Sequence, residues 1–328
     1  MSITMRTRRF TAPLTVLCAA VALSGIAGCG SSDSGSGDED KPGSGAGAGA
    51  PDVSSIPKLV SVTDKSLPIE AYLLSPEEGK QILQAELALR QRCMSRFGIA
   101  YQVPEQTAGF EPKSLTQLRY GPTDADDVAG HGYKPPGSEK AVGKPKPQEL
   151  APAAAMVLNG TNDPDVKPGS AAAKGGQDYN GQKVPAGGCI GEAKAKLGYS
   201  TAQEPSKDGA PPVADKVNTD SWAKSYEDAR VKAVFGKWSA CMKEKGYTYA
   251  DPMKANDDTQ WQQAALATAK EKQVASADVA CKAKYNVIGT WYAVDAAYQE
   301  QMIEQNAQAL AEVKKTKEKQ LKLMAEVL

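Results

Sequence analysis

The feature that most constrains this fold is a Cys-Met pair that occurs twice, each time near a predicted helix end. The first copy reads QRCMSRFGIAYQVP over residues 91–104, and the second reads SACMKEKGYTYADP over residues 239–252. In both copies a glycine, Gly98 or Gly246, follows the cysteine and suits the left-handed position that ends a helix. The repeat therefore predicts two helices that each carry a cysteine close to the C-terminal end.

The first 28 residues have the layout of an export signal. Three arginines precede an apolar stretch from about residue 12 to residue 26, and small residues then lead to a cysteine. The tetrapeptide Ile26-Ala27-Gly28-Cys29 resembles the lipobox of bacterial lipoproteins. The resemblance implies cleavage between Gly28 and Cys29 and attachment of diacylglycerol to the Cys29 thiol. An ordinary signal peptide, or a short membrane helix with an incidental cysteine, is the alternative interpretation.

A segment of low complexity follows the lipobox. Residues 30–55 consist mostly of Gly, Ser, Ala, Pro and Asp, and such a composition cannot bury enough apolar surface to offset its chain entropy. We therefore expect residues 29–56 to form a lipidated cysteine and a flexible tether. Residues 57–328 are expected to be the extracytoplasmic domain, with one Cys-Met unit in residues 57–200 and the other in residues 201–328.

Four cysteines remain after the signal segment and the lipidation site are set aside. An even number of cysteines in an exported protein predicts two disulfides, although four cysteines allow three connectivities. Each Cys-Met pair is followed by a later cysteine that leads into a Lys-Ala-Lys step, in GGCIGEAKAKLGY (187–199) and in DVACKAKYNVIG (278–289). This repeat favours the pairs Cys93–Cys189 and Cys241–Cys281.

Local signals predict a mainly α-helical fold with short β segments. Ser75-Pro76-Glu77-Glu78 is a capping box with proline at the first helical position, so a helix is predicted over residues 75–97. The apolar and aromatic run IAYQV, residues 99–103, predicts a short strand. In the second copy, a helix is predicted from Thr219 or Asp220 to about Lys245.

The C-terminal part is predicted to be helical throughout. One helix is expected at 258–284, and a second, long helix is expected from about Tyr285 or Thr290 onward. Its apolar seam comprises Ile303, Leu310, Val313, Leu321, Met324 and Leu328. This seam favours packing of the helix on its own domain, and a coiled-coil partner or contact with anionic lipid are the alternatives. The main core is predicted in the C-terminal half of the chain, because all four tryptophans lie beyond residue 221.

The central region, residues 104–188, is rich in Gly and Pro and poor in large apolar residues. Short helices are predicted at 123–129 and 148–158, and the rest is predicted to be a long loop region that ends at Cys189. A long structureless segment inside a compact domain is often functional. We therefore expect this region to form the surface that faces a partner.

Charge and motifs exclude several functions. The chain carries 39 basic and 39 acidic residues, and cleavage after Gly28 would remove three arginines, so no basic excess supports nucleic-acid binding. The Gly-x-Ser-x-Gly, His-Glu-x-x-His and Walker motifs are missing, and His131 is the only histidine. Asn162, Asp163 and Asp165 lack the spacing of a calcium loop. No catalytic residue, metal site or cofactor is predicted.

Several motifs taken together resemble the uncharacterised secreted lipoproteins of streptomycetes and related actinobacteria. They are the lipobox, RCMSRFGIAY, RYGPTDADDVAGHGYKPP and GGCIGEAKAKLGY. The chain departs from the family pattern at Gly98-Ile99, where Gly-Tyr is usual, whereas Gly246-Tyr247 keeps it. The resemblance implies extracytoplasmic placement and disulfides, but it implies no activity, and it points only to an accessory role beside export or efflux systems.

The sequence as a whole predicts a disulfide-braced helical domain held at the outer face of the cytoplasmic membrane by a lipid at Cys29. The expected function is that of a non-catalytic binding or accessory protein of the cell envelope. Cell-wall polymer or a membrane transport complex are the expected partners besides the membrane itself. The alternative is a cell-envelope hydrolase that uses carboxylates.

Overall fold

A computed structural model describes residues 49–103, 111–137, 148–199 and 211–328 of this 328-residue chain. The helices in these ranges are α1 (Pro76–Arg96), α2 (Ala125–His131), α3 (Pro152–Asn159), α4 (Gly188–Lys196), α5 (Val213–Glu227), α6 (Ala229–Glu244), α7 (Pro252–Asn256), α8 (Ala269–Lys284), α9 (Val287–Gln305) and α10 (Ala307–Ala325). The strands β1 (Asp178–Tyr179) and β2 (Gln182–Lys183) pair as an antiparallel hairpin. The described chain is therefore mainly helical, as predicted.

Helix α1 begins at the predicted capping box. The Ser75 hydroxyl accepts a hydrogen bond of 3.1 Å from the backbone N–H of Glu78, and Glu78 Oε2 accepts one of 2.8 Å from the backbone N–H of Ser75. Pro76 occupies the first helical position, where the N–H that it lacks has no helical partner. The helix predicted over residues 75–97 is confirmed.

Three helices end with the same left-handed glycine motif. After α1, Gly98 has a φ of 71° and the next residue donates its N–H to the Met94 carbonyl over 3.1 Å. After α6, Gly246 has a φ of 88° and the next residue donates to the Met242 carbonyl over 2.9 Å. Helix α4 ends in the same way at Gly198, with a φ of 76°. A side chain at these positions would be strained, so glycine marks each helix end.

Both predicted disulfides are present. Cys93 in the last turn of α1 is joined to Cys189 in the first turn of α4, with 5.6 Å between their Cα atoms. Cys241 in the last turn of α6 is joined to Cys281 in the last turn of α8, with 5.9 Å between their Cα atoms. The pairing is confirmed, but the two Cys-Met units are not equivalent. In the first unit the later cysteine lies at the start of its helix, and in the second unit it lies at the end of its helix.

The helix predicted from Thr219 or Asp220 to about Lys245 is wrong as a single element. Helices α5 and α6 cover this stretch and meet at Asp228, which has a φ of −62° and a ψ of 137°. The Asp228 side chain accepts a hydrogen bond from the N–H of Arg230 and so caps the start of α6. Both helices pack on α9, and for that reason the helical spacing of apolar residues continues across the break.

The C-terminal part is helical, with more breaks than predicted. In place of one helix over 258–284, a 3₁₀ helix at Thr259–Gln263 precedes α8. The single long helix is also wrong, because α9 and α10 meet at Asn306, whose side-chain amide donates to the Met302 carbonyl over 2.7 Å. None of the helices in the described ranges has both the length and the apolar character required to cross a bilayer.

Helix α10 packs one face on its own domain, as the first interpretation of its seam predicted. Leu310 is fully buried in a cluster with residues of α5 and of the 3₁₀ helix at Pro68–Tyr72. Lys317 interrupts the seam but is accommodated, since its Nζ lies 2.7 Å from the Leu73 carbonyl and 2.9 Å from Glu78 Oε2. Leu328, the last residue of the seam, is 63% exposed.

The strand predicted for residues 99–103 is wrong, because a side chain makes the hydrogen bonds that a neighbouring strand would make. The segment is irregular. The Gln148 side-chain amide donates to the Ala100 carbonyl over 3.0 Å and accepts from the N–H of Gln102 over 2.8 Å. These bonds satisfy the backbone groups that a strand would have paired.

The central region contains the two short helices that the sequence predicts. Helices α2 and α3 correspond to the predictions at 123–129 and 148–158, with their bounds shifted by a few residues. Residues 104–110 and 138–147 lie outside the described ranges.

The main core lies in the C-terminal half, where the tryptophans predicted it. Trp238 and Trp291 are fully buried there, and the Cys241–Cys281 disulfide lies in the same cluster. Val62 and Tyr120, from the N-terminal half, are also members of this cluster. The two Cys-Met units therefore share a core, and the described residues from 49 to 328 belong to one compact unit.

Residues 49–66, called the strap from here on, lie against the C-terminal helices. Arg230 at the start of α6 donates to the Pro51 carbonyl over 2.9 Å. The Asn286 side chain donates to the Pro57 carbonyl over 2.9 Å and accepts from the N–H of Leu59 over 3.0 Å. Residues 49–56, which the sequence analysis assigned to the tether, are thus part of the folded unit.

Candidate functional site

Residues 119–136, with the sequence RYGPTDADDVAGHGYKPP, are held in place by buried ion pairs and are called the pocket segment from here on. At its start, Arg119 Nε lies 2.6 Å from Asp295 Oδ2, and Arg119 Nη2 lies 3.1 Å from Asp295 Oδ1. The same guanidinium donates to the side-chain oxygen and to the carbonyl of Asn218, each over 2.7 Å. Asp295 is fully buried. This bidentate pair fixes the pocket segment to both α5 and α9.

The next residue strengthens the same contact. The Tyr120 hydroxyl donates to Asp295 Oδ2 over 2.9 Å, and the Tyr120 ring lies 4.9 Å from the Trp291 ring, centroid to centroid. Burial and the negative charge of Asp295 raise the pKa of Tyr120 well above its usual value. The hydroxyl therefore remains a donor to Asp295 at any physiological pH.

A second buried ion pair supports the turn at Gly121. Lys282 Nζ lies 2.9 Å from Asp278 Oδ2, both side chains are buried, and the ammonium also donates to the Pro122 carbonyl over 3.1 Å. Burial raises the pKa of Asp278, and the charge of Lys282 opposes that shift. Gly121 has a φ of 74°, and a Cβ there would lie 3.2 Å from Lys282 Nζ. Glycine therefore lets the turn approach the ammonium closely.

A third ion pair fixes the end of the pocket segment to α8. Lys134 Nζ lies 3.1 Å from Oε2 of the fully buried Glu271 and donates to the Trp261 carbonyl over 2.6 Å. The neighbouring Tyr133 ring stacks on the Trp261 ring, with 5.8 Å between the centroids. The pocket segment is thus attached at its start, its middle and its end.

The pocket segment encloses a cavity of about 200 Å³ together with the strap and α7. Thr63 of the strap and Asn256 of α7 contribute to its lining. The apolar part of the lining includes Leu118, Pro122, Val128 and Pro136, and the polar part includes Thr123 and Asp127. Apolar walls with a few placed polar groups are typical of small-molecule sites.

The start of α2 brings two carboxylates to this cavity. Asp124 Oδ1 accepts hydrogen bonds of 2.9 Å from the backbone N–H groups of Asp126 and Asp127, so Asp124 caps the helix. Asp127 also lines the cavity and is partly buried. Burial and the charges of Asp124 and Asp126 raise the pKa of Asp127, and His131 opposes this shift. This wall of the pocket therefore carries two carboxylates.

A chain of hydroxyl groups joins the strap to the pocket segment. Ser61 Oγ lies 2.8 Å from Thr63 Oγ1, and the Thr123 hydroxyl donates to Ser61 Oγ over 3.1 Å. Thr63 and Thr123 both line the pocket. This part of the wall therefore offers hydroxyl groups, which can donate and accept hydrogen bonds.

The structure places the predicted site residues in two groups. All four predicted disulfide cysteines, Cys93, Cys189, Cys241 and Cys281, are buried and paired. They therefore act as structural links. The predicted lipidation and cleavage site, Gly28 and Cys29, lies outside the described residues.

Two other sequence candidates have ordinary local roles. Asp163 Oδ1 accepts a hydrogen bond of 2.9 Å from the N–H of Asp165, which is an Asx turn. His131 is the last residue of α2, and its Nδ1 lies 3.2 Å from the Asp127 carbonyl. In the described part of the chain, no group of three or more His, Cys, Asp or Glu side chains is arranged to hold a metal ion.

The three buried acids that pair with the cations around the pocket segment, Glu271, Asp278 and Asp295, are not among the functional residues that the sequence predicts. For two of them, Asp278 and Asp295, the surrounding sequence indicates burial. Asp278 and Asp295 lie within the otherwise apolar or small runs ASADVAC and WYAVDAAY. An acid on such a run is expected to be buried, and a buried acid requires a cationic or hydrogen-bonding partner.

Comparisons of the chain with protein-family models, with curated proteins and with solved structures found no match. The assignment of a function therefore depends on the geometry and chemistry of the pocket and on the signals in the sequence.

Proposed function

We propose that this chain is a lipid-anchored, extracytoplasmic binding protein that holds a small ligand in the pocket between the strap and the pocket segment. The observation that carries the proposal is the pocket itself, a cavity of about 200 Å³ with apolar walls and a few polar groups. The site needs no catalytic group for this role, because binding requires only shape, apolar contact and correctly placed polar partners.

The attachment of the pocket segment supports a binding role. The ion pairs Arg119–Asp295 and Lys134–Glu271 join the segment to α9 and α8. Lys282 of α8, which is paired with Asp278, donates to the Pro122 carbonyl of the segment. A site whose walls are already held in place loses less conformational entropy when a ligand binds. Such a pocket suits a protein that captures a ligand and presents it.

The placement of the protein is part of the proposal. The lipobox-like sequence at Cys29 supports attachment to the membrane by lipid, and the two disulfides are typical of an oxidising compartment outside the cytoplasm. We propose cell-wall polymer or a membrane transport complex as the partner to which the ligand is presented.

Replacement of Cys29 with alanine tests the anchor. The Cys29→Ala protein should lack the lipid and should fail to be cleaved before residue 29, because the thiol accepts the diacylglycerol. Intact-mass spectrometry of the membrane fraction measures both changes, and a Cys93→Ala/Cys189→Ala protein, which keeps Cys29, is the control for loss of cysteine. A Cys29→Ala product that is still acylated and still cleaved before residue 29 would contradict the anchor.

Replacement of Leu118 with tryptophan tests the pocket. Leu118 lines the cavity and is 42% exposed, so the larger side chain can fill the mouth without entering the core. We expect compounds from a fragment library that bind the full chain to lose about tenfold or more in affinity, which corresponds to about 1.4 kcal/mol. Ligand-observed NMR measures this loss.

Leu266→Trp is the matched control for this test. Leu266 is 59% exposed and lies outside the lining of the pocket, so the same change of size there should leave binding unaltered. If every bound compound keeps its affinity in Leu118→Trp, the pocket is not the binding site.

The second candidate function is that of a cell-envelope hydrolase, and one observation favours it. Asp127 lines the pocket, and its raised pKa, which results first from burial, suits a general acid. Against this role, Asp124 comes from the same helical turn and caps α2, whereas a pair of catalytic carboxylates flanks the bond that is cleaved. Release of fragments from purified cell wall by the full chain, and its loss in Asp127→Asn, would favour the hydrolase.

A further inference from the structure

The lysines and the carboxylates around the pocket differ in whether they are paired with a group of opposite charge. Two lysines lie beside the cavity, and each is matched by a buried acid of α8. Lys134 is paired with Glu271, and Lys282, behind Gly121, is paired with Asp278. These ammonium groups also donate to backbone carbonyls of Trp261 and Pro122, so their charge and donor capacity are largely used within the protein.

The carboxylates of α2 are in a different situation. Asp127 is partly buried at the cavity, and the other charges on its helix that act on it are Asp124, Asp126 and His131. The two aspartates are of like sign, and their effect together with burial outweighs that of the histidine. Asp124 and Asp127 therefore bring negative charge to the lining of the cavity, and a carboxylate in such surroundings gains from a cationic partner.

The rest of the cavity has an apolar character. Leu118, Val128 and the prolines Pro122 and Pro136 line it. Small ions bind to sites that surround them with oxygen ligands, whereas an apolar wall opposite a carboxylate complements a molecule with one charged end and one apolar end.

We infer that the pocket takes a small organic cation, a molecule with an ammonium group at Asp127 and an apolar body against Leu118, Val128 and Pro136. This inference rests on the proposed binding function and specifies the class of ligand for that same site. The Asn256 side chain and the hydroxyls of Thr63 and Thr123 lie in the same lining and provide additional hydrogen-bond acceptors for the N–H groups of the ammonium.

Three probes with nearly the same body and different charge test the ligand class. Phenethylamine is cationic, phenethyl alcohol is neutral and phenylacetate is anionic. Isothermal titration calorimetry is performed on the full, lipid-anchored chain in nanodiscs of zwitterionic lipid, with empty nanodiscs as the blank. We expect phenethylamine to bind about tenfold or more tightly than the alcohol, because a hydrogen bond to a charged group contributes more than a neutral one, and phenylacetate to bind weakest.

Two isosteric variants test whether the Asp127 carboxylate binds the ammonium group. Asp127→Asn should reduce the affinity for phenethylamine by about tenfold or more and should leave that for the alcohol nearly unchanged. Asp215→Asn removes the same charge from an exposed position of α5 that lies outside the lining, and it should change both affinities by about twofold or less, because solvent screens exposed charges. Thermal unfolding of both variants verifies that they fold.

The outcomes separate the ligand class from the proposed function. Equal or tighter binding of the alcohol or of phenylacetate, lost in Leu118→Trp, would overturn the cation and leave the binding function in place. Binding of calcium that depends on Asp127 and displaces the amine would overturn the organic cation in favour of a metal. If none of the three probes binds, the ligand class is overturned, and the fragment experiment with Leu118→Trp decides on the binding function separately.

Discussion

Replacing Arg119 with methionine should lower the free energy of unfolding by about 3–5 kcal/mol, because it removes one partner of a buried ion pair. Asp295 is fully buried and receives two hydrogen bonds from the guanidinium, and among the described residues only the hydrogen bond from Tyr120 would remain. The contacts that Arg119 makes with Asn218 would be lost as well. Urea denaturation with linear extrapolation measures the change.

Two further variants determine the cause of the loss. In Arg119→Met/Asp295→Leu both charges are replaced by apolar groups, and we expect much of the stability to return, because no unpaired charge is then buried. Lys113→Met removes a lysine whose partner Asp64 lies 3.7 Å away in an exposed pair, and its effect should be a small fraction of that of Arg119→Met. A loss below about 1 kcal/mol for Arg119→Met would show that the pair does not hold the pocket segment.

The parts of the fold that could be predicted from the sequence depend on local chemistry. The capping box at Ser75 and the glycines at positions 98 and 246 define helix ends through bonds between residues at most five positions apart. The disulfide pairs could be predicted because the Cys-Met elements and the Lys-Ala-Lys steps repeat. These signals are contained in short stretches of chain and are independent of the rest of the fold.

The break at Asp228 shows why other boundaries could not be predicted. The aromatic and apolar residues on either side of it continue one helical spacing, because α5 and α6 both bury a face against α9. An aspartate is tolerated on the exposed side of a helix, so its presence alone did not indicate a stop. The two-helix arrangement is determined by the shared partner α9, which is distant in sequence.

The candidate site depends even more on distant partners. Arg119 and Asp295 are separated by 176 positions, and Lys134 and Glu271 by 137. The sequence has 78 charged residues of these types, and no local pattern shows which two of them meet. The pocket could therefore be predicted only as a region of functional interest between residues 104 and 188, and its walls from the strap and α7 could not be predicted.

Removal of Cys93–Cys189 and removal of Cys241–Cys281 should have different effects on how the protein unfolds. The chain-entropy relation gives about 5 kcal/mol for the link that closes 96 residues, Cys93–Cys189, and about 4 kcal/mol for the link that closes 40 residues, Cys241–Cys281. The first link lies in a small cluster of α1, α3 and α4 residues, whereas the second lies in the main core. A small cluster has little other stabilisation from burial.

We therefore expect Cys93→Ala/Cys189→Ala to unfold in two steps. Far-UV circular dichroism should report an early loss of helix, while tryptophan fluorescence should stay native to higher urea, because Trp238, Trp261 and Trp291 all belong to the main core. Cys241→Ala/Cys281→Ala, the matched variant, should lose both signals together at lower urea, since Trp238 and Trp291 share a cluster with that disulfide. Coincident transitions in both variants would contradict this difference and would mean that the two clusters unfold as one cooperative unit.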